Sequence, residues 1–355
     1  MSRFLHHRFG VNYTPSRSWY FVWNDWQTDG IARDLDAIAE LGADHLRVML
    51  VWPWFQPNPG HVSPAHLDRL DSLMQMAGQR GMDVMPVVFT GWLSGYRFDP
   101  PFLQDRPFYS DPGWQAAQDL FLDALCTRMA AHPNFLGFDL GNEINCAWTA
   151  PRAIGDAWMA RHMARLRAAH PGAVHVNGVD HKPWFQSHTF SPRALLAEQP
   201  IVPLHCWPFW TGAGTRGGPL DRPYTHLGAG MARLARSLGR DPAKPVWIQE
   251  FGVCATEMPE GDIPRWTEAF VAAAVGAGVG WFTWWASHDV DRRFDFHPFE
   301  YGLGLLDGDN RPKPQGTLFR DLARALRGTP VTLPATVPAP PKTRGDAATW
   351  DWMLA

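Results

Sequence analysis

Apolar residues along this chain follow two alternating rhythms. Short, nearly continuous apolar runs predict buried strands, and spacings of three to four residues between them predict helices with one inward face. Arg8 to Tyr13 (RFGVNY) is the first run; a loop holding Trp19, Trp23 and Trp26 follows, then Ile31, Leu35, Ile38 and Leu41 at helical spacing before Gly42. His45 to Val51 predicts a second strand. Ser63-Pro64 then opens a helix, serine as cap and proline in its first turn, with Leu67, Leu70, Leu73, Met74 and Ala77 inward. Met82 to Phe89 predicts the third strand, Thr90 to Pro112 a long aromatic loop, and Asp111-Pro112 the cap of a helix to about Ala131. The run Phe135 to Leu140 is the fourth strand, ending in Gly141-Asn142-Glu143, and a helix is expected over Thr149 to His170. Ala173 to Asn177, Ile201 to His205, Pro245 to Glu250 and Gly280 to Trp285 complete eight strands. Helices are predicted from Ser191-Pro192, over Leu227 to Leu238, over Ile263 to Gly278 and over Pro314 to Leu326.

Strand-then-helix units with crossovers long enough for parallel pairing predict one closed (β/α)8 barrel of the TIM type over residues 1–328. A doubly wound open sheet would want a glycine-rich turn after the first strand, and VNYTPS is not one. Residues 329–355, centred on PATVPAPPKTRG, predict a proline-rich tail that lies over the barrel or stays disordered, with Trp350 and Trp352 docking its tip.

Composition narrows the function. With 45% hydrophobic residues the chain can bury a large core, and a net charge of -3 leaves no footprint for nucleic acid or a membrane surface. Cys126, Cys146, Cys206 and Cys254 lack CxxC spacing and read as reduced thiols. The start MSRFLHHRFGVNY has no signal-peptide core and no apolar stretch reaches about eighteen residues, so a cytoplasmic protein is expected. Fifteen histidines raise the question of a metal, but HExxH and Cys/His ligand spacings are missing, and no metal or cofactor is expected. Nineteen tryptophans, many in loops, suit a binder of flat apolar sugar faces.

Barrel chemistry sits at the C-terminal ends of the strands. There the sequence offers Arg47, Asn142 with Glu143, His205 with Trp207, Glu250, and Trp284 with Trp285, followed by His288 and Asp289, which are in reach of sugar hydroxyls. Strands four and seven face each other across an eight-strand ring, so Glu143 and Glu250 approach one substrate from opposite sides. One acid to protonate a departing oxygen and one carboxylate to attack, or to activate water, is what glycoside hydrolysis needs. Carboxyls about 5 to 5.5 Å apart retain configuration and about 6.5 to 9.5 Å invert it; the short separation is expected here. Plainer readings stand beside these: an Asn-Glu loop facing water, a satisfied core His205, packing roles for some of Trp207, Trp210, Trp284 and Trp285, and surface-loop roles for His288 and Asp289.

The runs GVNYTPSRSWYFVW, RDLDAIAELGADHLRV, WPWFQPNPG, FLGFDLGNEIN, VWIQEFG and TWWASHDV resemble the clan A glycoside hydrolases of family 5. Within that family they look most like the exo-acting β-mannosidases that release mannose from β-1,4 linkages, including Man-β-1,4-GlcNAc of N-glycan cores. The resemblance runs from about Phe9 to Leu326 and leaves the tail uncovered. It implies a retaining double displacement on a mannose-containing oligosaccharide, with Glu143 as acid/base and Glu250 as nucleophile. It further implies Asn142 on the sugar 2-hydroxyl, Arg47 beneath Glu250 to keep it ionised, and Trp284 or Trp285 as floor of the sugar ring. Strand six departs from the family's His-x-Tyr, reading His205-Cys206-Trp207, so an indole N–H stands where a phenol would. Strand three shows Phe89-Thr90-Gly91-Trp92 where the family frequently has a histidine. An endo-β-1,4-mannanase or β-glucanase on the same barrel is the alternative, and a non-catalytic sugar-binding barrel a remote one. The long loops 90–112, 206–222 and 286–311 favour exo action. The mannose assignment rests on the resemblance alone, and neither the aglycone nor the oligomeric state is legible.

Overall fold

The computed structural model describes every residue except Met1 and Leu103. Eight parallel strands form the centre: β1 Arg8–Asn12, β2 His45–Met49, β3 Asp83–Thr90, β4 Asp139–Asn142, β5 Val176–Gly178, β6 Val202–His205, β7 Val246–Phe251 and β8 Trp281–Trp284. They pair in the order β5-β4-β3-β2-β1-β8-β7-β6, and β5 and β6 adjoin at the seam without a ladder, so the ring is nearly closed. Around it run α1 Thr28–Glu40, α2 Pro64–Gly78, α3 Pro112–Met129, α4 Arg152–Ala169, α5 Pro192–Ala197, α6 Leu227–Gly239, α7 Ile263–Gly276 and α8 Pro314–Leu326. This is the (β/α)8 barrel that the alternating periodicities predict. Each helix turns one stripe inward, as with Ile31, Leu35 and Ile38 of α1, all buried.

The barrel interior is layered. Met85, Val174, Val176, Ile201, Trp247 and Trp281 fill its lower part. Asn12, Arg47, Asp139 and Gln249 fill the upper part, each fully buried, and this polar layer is the base of the site. Gly178 makes room for it, since a Cβ there would lie 2.6 Å from Gln249 Oε1 and 2.7 Å from Asp139 Oδ2.

Four local details differ from, or add to, the periodicity. Regular β4 starts at Asp139 rather than Phe135 because Gly137, at φ +145°, passes so close to Val174 that a Cβ would meet its carbonyl oxygen. The preceding residues still hydrogen-bond to β3, Leu136 N–H to the Val84 carbonyl at 2.9 Å. Ser63 does not cap α2; its hydroxyl bonds His66 Nδ1 at 2.8 Å, whereas Asp111 does cap α3 through the Trp114 N–H at 2.9 Å. Within the loop after β3, Trp92–Leu93 and Tyr96–Arg97 form a small antiparallel hairpin turned by Ser94 (φ +52°) and Gly95 (φ +85°). A two-residue turn with both angles positive matches strand twist, and Gly95 takes its second position at no steric cost.

The tail is laid on the barrel. Val331 N–H bonds the Leu5 carbonyl at 2.8 Å, and α9 (Asp346–Leu354) buries Trp350, whose indole donates to the Thr211 carbonyl at 2.7 Å. The tail thereby props the β6 loop that carries Trp207 and Trp210. Among the described residues no helix is long and apolar enough to cross a membrane, and Cys126, Cys146, Cys206 and Cys254 are free.

Candidate active site

Arg47 organises the upper layer. Its guanidinium donates to Asp139 Oδ2 at 3.0 Å, to Asn12 and Asn142 Oδ1 at 2.9 Å each, and to Glu250 Oε1 at 2.6 Å. Burial works against its charge, but Asp139 and Glu250 outweigh that and hold its pKa above the usual value. Removing one partner of such a buried pair typically costs about 3 to 5 kcal/mol, so the layer is as much a structural joint as a chemical one. Glu250, at the end of β7, is fixed from two more sides: the Trp207 indole donates to its Oε2 at 3.1 Å, and His205 Nδ1 lies 3.3 Å from the same oxygen.

Glu143 follows β4 directly. Its backbone is left-handed at φ +46°, an uncommon conformation for a residue with a side chain, and its N–H is tied to the Gly178 carbonyl at 2.8 Å. That turn aims the carboxyl at His205 Nδ1, 2.9 Å from its Oε1. Carboxylate oxygens of Glu143 and Glu250 and a ring nitrogen of His205 all lie within 4.8 Å of one another. The three groups are also within reach of one cation, but Arg47 already supplies a full positive charge against Glu250.

The two acids are not equivalent. Burial first, and the Asp180 charge second, raise the Glu143 carboxyl to about 8, against weaker downward pulls from Arg47 and Lys182. Burial also raises Glu250, and Glu143 adds to it, while His205, Arg47 and the Trp207 hydrogen bond pull it back. A proton shared by the pair therefore rests on Glu143. Burial lowers the His205 pKa, against upward pulls from the Glu250 charge and the Gln249 hydrogen bond. His205 Nε2 lies 3.1 Å from Gln249 Oε1, and its Nδ1 faces both Glu143 and Glu250.

These groups open into a small cavity of about 100 Å³, walled by Trp285, Glu300 and the hairpin residues Trp92 and Ser94. A larger, more open hollow where β3 begins is lined by Asp71, Asp83, Arg128 and His132, but its acids are spent on ion pairs with Arg128 and Arg8.

A family model described as Cellulase (glycosyl hydrolase family 5) matches residues 7–289, a span that includes all eight strands and both carboxylates. The chain belongs to glycosyl hydrolase family 5. It is accordingly a glycoside hydrolase. In structure it is similar to a GH5_18 variant from Streptomyces cattleya in complex with Manβ1-4GlcNAc, at 34% identity and a TM-score of 0.87 over 97% of this chain and 87% of that one. A GH5_18 variant from Bifidobacterium longum subsp. longum, in complex with the same disaccharide, is 30% identical with a TM-score of 0.85 over 95% of this chain and 81% of that one. An exo-β-1,4-mannosidase from Opitutaceae bacterium strain TAV5 is 27% identical, at a TM-score of 0.81 over 91% of this chain and 60% of that one. No curated protein sequence matches the chain.

Set on the family 5 barrel, the strand-end residues divide. Arg47, Asn142, Glu143, His205, Trp207 and Glu250 form one cluster, and Trp285 lines the cavity above it. Asn142 accepts from Arg47 and donates to the Trp92 carbonyl, which uses part of its hydrogen-bonding capacity before any sugar arrives. Three expectations are corrected. Trp284 points away from the cavity: it is fully buried against Phe251 and Trp266, with its indole bonded to the Leu303 carbonyl at 2.8 Å. Strand alternation makes this unavoidable, since neighbours on one strand face opposite ways. His288 is fully buried and fastens loops through the Thr14 carbonyl at 3.0 Å and Asn310 at 2.8 Å. Asp289 is held by Lys313 at 2.8 Å and by the Gly304 N–H at 2.8 Å, outside the cavity. Sequence reasoning missed Glu300 and Ser94, which lie in loops marked only as walls and have no periodicity to orient them. The isolated acid in the aromatic stretch His297-Pro298-Phe299-Glu300-Tyr301 was the available signal.

Proposed function

We propose that the protein is a retaining exo-β-mannosidase that releases mannose from the non-reducing end of β-1,4-linked substrates of the Manβ1-4GlcNAc type, the unit found in N-glycan cores. The observation that carries the reading is the approach of Glu143 and Glu250 to within 4.8 Å with unlike surroundings. That distance supports retention, being nearer the roughly 5 to 5.5 Å of retaining enzymes than the roughly 6.5 to 9.5 Å of inverting ones. Glu250 attacks the anomeric carbon while the Glu143 proton passes to the departing oxygen, giving a mannosyl ester and a free alcohol. Glu143, now ionised, takes a proton from water; the hydroxyl attacks the same carbon from the vacated side, and Glu250 leaves. The sugar carbon carries positive charge in both transition states, and the fixed carboxylate of Glu250 opposes it. Trp285 is the floor of the ring, and Asn142 has one N–H left for the 2-hydroxyl.

Exo action is supported by the loops around the cavity. The hairpin after β3 is tied to the β8 loop, Tyr96 Oη donating to the Asp295 carbonyl at 2.7 Å, and Trp19 packs between Tyr96 at 5.8 Å and Phe296 at 4.3 Å. This joins two of the loops whose neighbouring residues line the cavity. Trp210, 58% exposed, stands with Phe299 as an apolar lip on which a second sugar can rest. The two GH5_18 variants in complex with Manβ1-4GlcNAc and the exo-β-1,4-mannosidase support the choice of sugar.

The test is a panel of 4-nitrophenyl β-glycosides, Manβ1-4GlcNAc, mannobiose and a mannan polymer, with NMR of the first-formed anomer. Cleavage of the β-mannoside and of Manβ1-4GlcNAc with β-mannose appearing first is expected. Preference for the β-glucoside would overturn the sugar, α-mannose first would overturn retention, and internal cuts in mannan would favour the endo reading.

A further inference from the structure

The cavity holds two polar groups that the double displacement does not use. Ser94 sits in the hairpin turn with its hydroxyl buried and without a hydrogen-bond partner among the described residues. A buried hydroxyl left unpaired is uncommon and asks for an explanation. Serine is also an unusual choice at a turn position with φ +52°, where asparagine or glycine is at ease. Beside it lies Glu300, whose Oε2 receives a hydrogen bond from the Trp285 indole at 3.3 Å and whose carboxyl the Ser94 hydroxyl approaches. Burial raises this carboxyl to about 7, with the Trp285 contact and the nearby Ser94 hydroxyl pulling down and Glu250 pushing up. A third acid close to the nucleophile costs electrostatic energy in the free protein, so a use for it is to be sought in the bound one.

We propose that Ser94 and Glu300 together bind the hydroxyl edge of the terminal sugar that is remote from its anomeric carbon, and thereby hold chain ends in register. Glu143 and Glu250 fix where the anomeric carbon lies. The opposite edge of the ring, with the 3-, 4- and 6-hydroxyls, then meets the wall where the hairpin joins the β8 loop. A sugar hydroxyl is both donor and acceptor: it gives its proton to Glu300 and receives one from Ser94, which satisfies all three groups at once. An internal residue of a β-1,4 chain has its 4-oxygen substituted and no proton there to give, so the same pair discriminates against it. This rests on the retaining glycosidase reading, and it adds the residues that select the glycone.

The test compares the wild type, Glu300→Ala, Glu300→Gln and Ser94→Ala on 4-nitrophenyl β-mannoside and its 3-deoxy, 4-deoxy and 6-deoxy forms. A hydrogen bond to a charged group lost from the transition state predicts about a 10- to 100-fold fall in kcat/KM for Glu300→Ala, and a smaller one for Ser94→Ala. In the wild type at least one deoxy substrate should lose a comparable factor, and in Glu300→Ala that same loss should vanish, as it must when two groups are partners. Glu300→Gln, with one amide oxygen still able to accept, should fall between and covers the case in which the alanine variant does not fold. Persistence of the full wild-type penalty in both Glu300 variants, for every deoxy substrate, would overturn the pairing. A wild type inactive on the β-mannoside would instead overturn the sugar assignment, and the deoxy series of whichever aryl glycoside it cleaves then tests the pair separately.

Discussion

Glu250 at the end of β7 and Glu143 at the end of β4 reach one cavity from opposite arcs of the barrel, and their supports differ in kind. Glu250 belongs to a strand paired on both sides, and Arg47, Trp207 and His205 surround its carboxylate. Glu143 stands one residue past its strand on a left-handed turn and meets one ring nitrogen and no guanidinium. The charge that shifts it most, Asp180, is of its own sign. Identical side chains thus acquire opposite tasks from their neighbours. A nucleophile gains from being charged and immobile, whereas an acid that must give and retake a proton gains from burial without a counter-ion.

The contrast is broken most completely at the fixed end. Glu250→Ala removes the group that would carry the glycosyl ester, and kcat on an aryl β-mannoside should fall by about 10⁴-fold or more. Undiminished turnover would show that the attack on the sugar comes from elsewhere. Because Arg47 and Asp139 keep each other satisfied without Glu250, the folded state should survive, and circular dichroism and Tm check that.

Glu143→Ala should cost less, and unevenly. A 4-nitrophenolate departs with little help, so loss there should stay well below the roughly 10²- to 10⁴-fold expected for Manβ1-4GlcNAc, whose alkoxide needs a proton. Restoration of aryl mannoside turnover by azide, with an inverted β-to-α mannosyl azide avoided and a β-azide formed, is the product signature of an intact Glu250 ester. An equal loss on both substrates would remove the acid role from Glu143.

How far the sequence carries depends on whether a residue belongs to a periodic element. Arg47, Glu143, His205 and Glu250 lie in or directly beside strands, and the barrel topology alone brings them to one rim. Trp284 and Trp285 show the limit: the strand places both at the rim, but only register decides which faces inward, and the one-residue alternation reverses the answer. His288 and Asp289 lie past the strand, where loop-fastening partners such as Asn310 and Lys313 are invisible to local reading. Ser94 and Glu300 come from two loops 206 residues apart in sequence (300 - 94), joined by the packing of Tyr96 and Phe296 over Trp19 and by the Tyr96–Asp295 hydrogen bond. Nothing local marks such a pairing. Likewise Asp180 lies past β5 with no motif to flag it, yet it is the second cause of the raised Glu143 pKa.

That last influence gives the smallest and most discriminating effect. Burial alone would raise Asp180, but His181, Lys182 and a hydrogen bond from Asn145, 2.6 Å long, outweigh it and keep the carboxylate ionised. Its charge then favours the protonated form of Glu143, while Lys182 opposes this. Glu143 must be protonated to act as acid, so kcat/KM should decline as pH rises through about 8. Glu250 must be ionised, and its raised pKa places the acidic limb above the ordinary carboxylate range. Asp180→Asn keeps the shape but removes the charge, which lowers the Glu143 pKa and moves the alkaline limb to lower pH by roughly half a unit or more. Lys182→Met should move it the other way. Loss of packing would lower activity in both variants without opposed shifts, so limbs that move in opposite directions are the mark of electrostatic tuning, and limbs that stay in place would detach Asp180 from the acid.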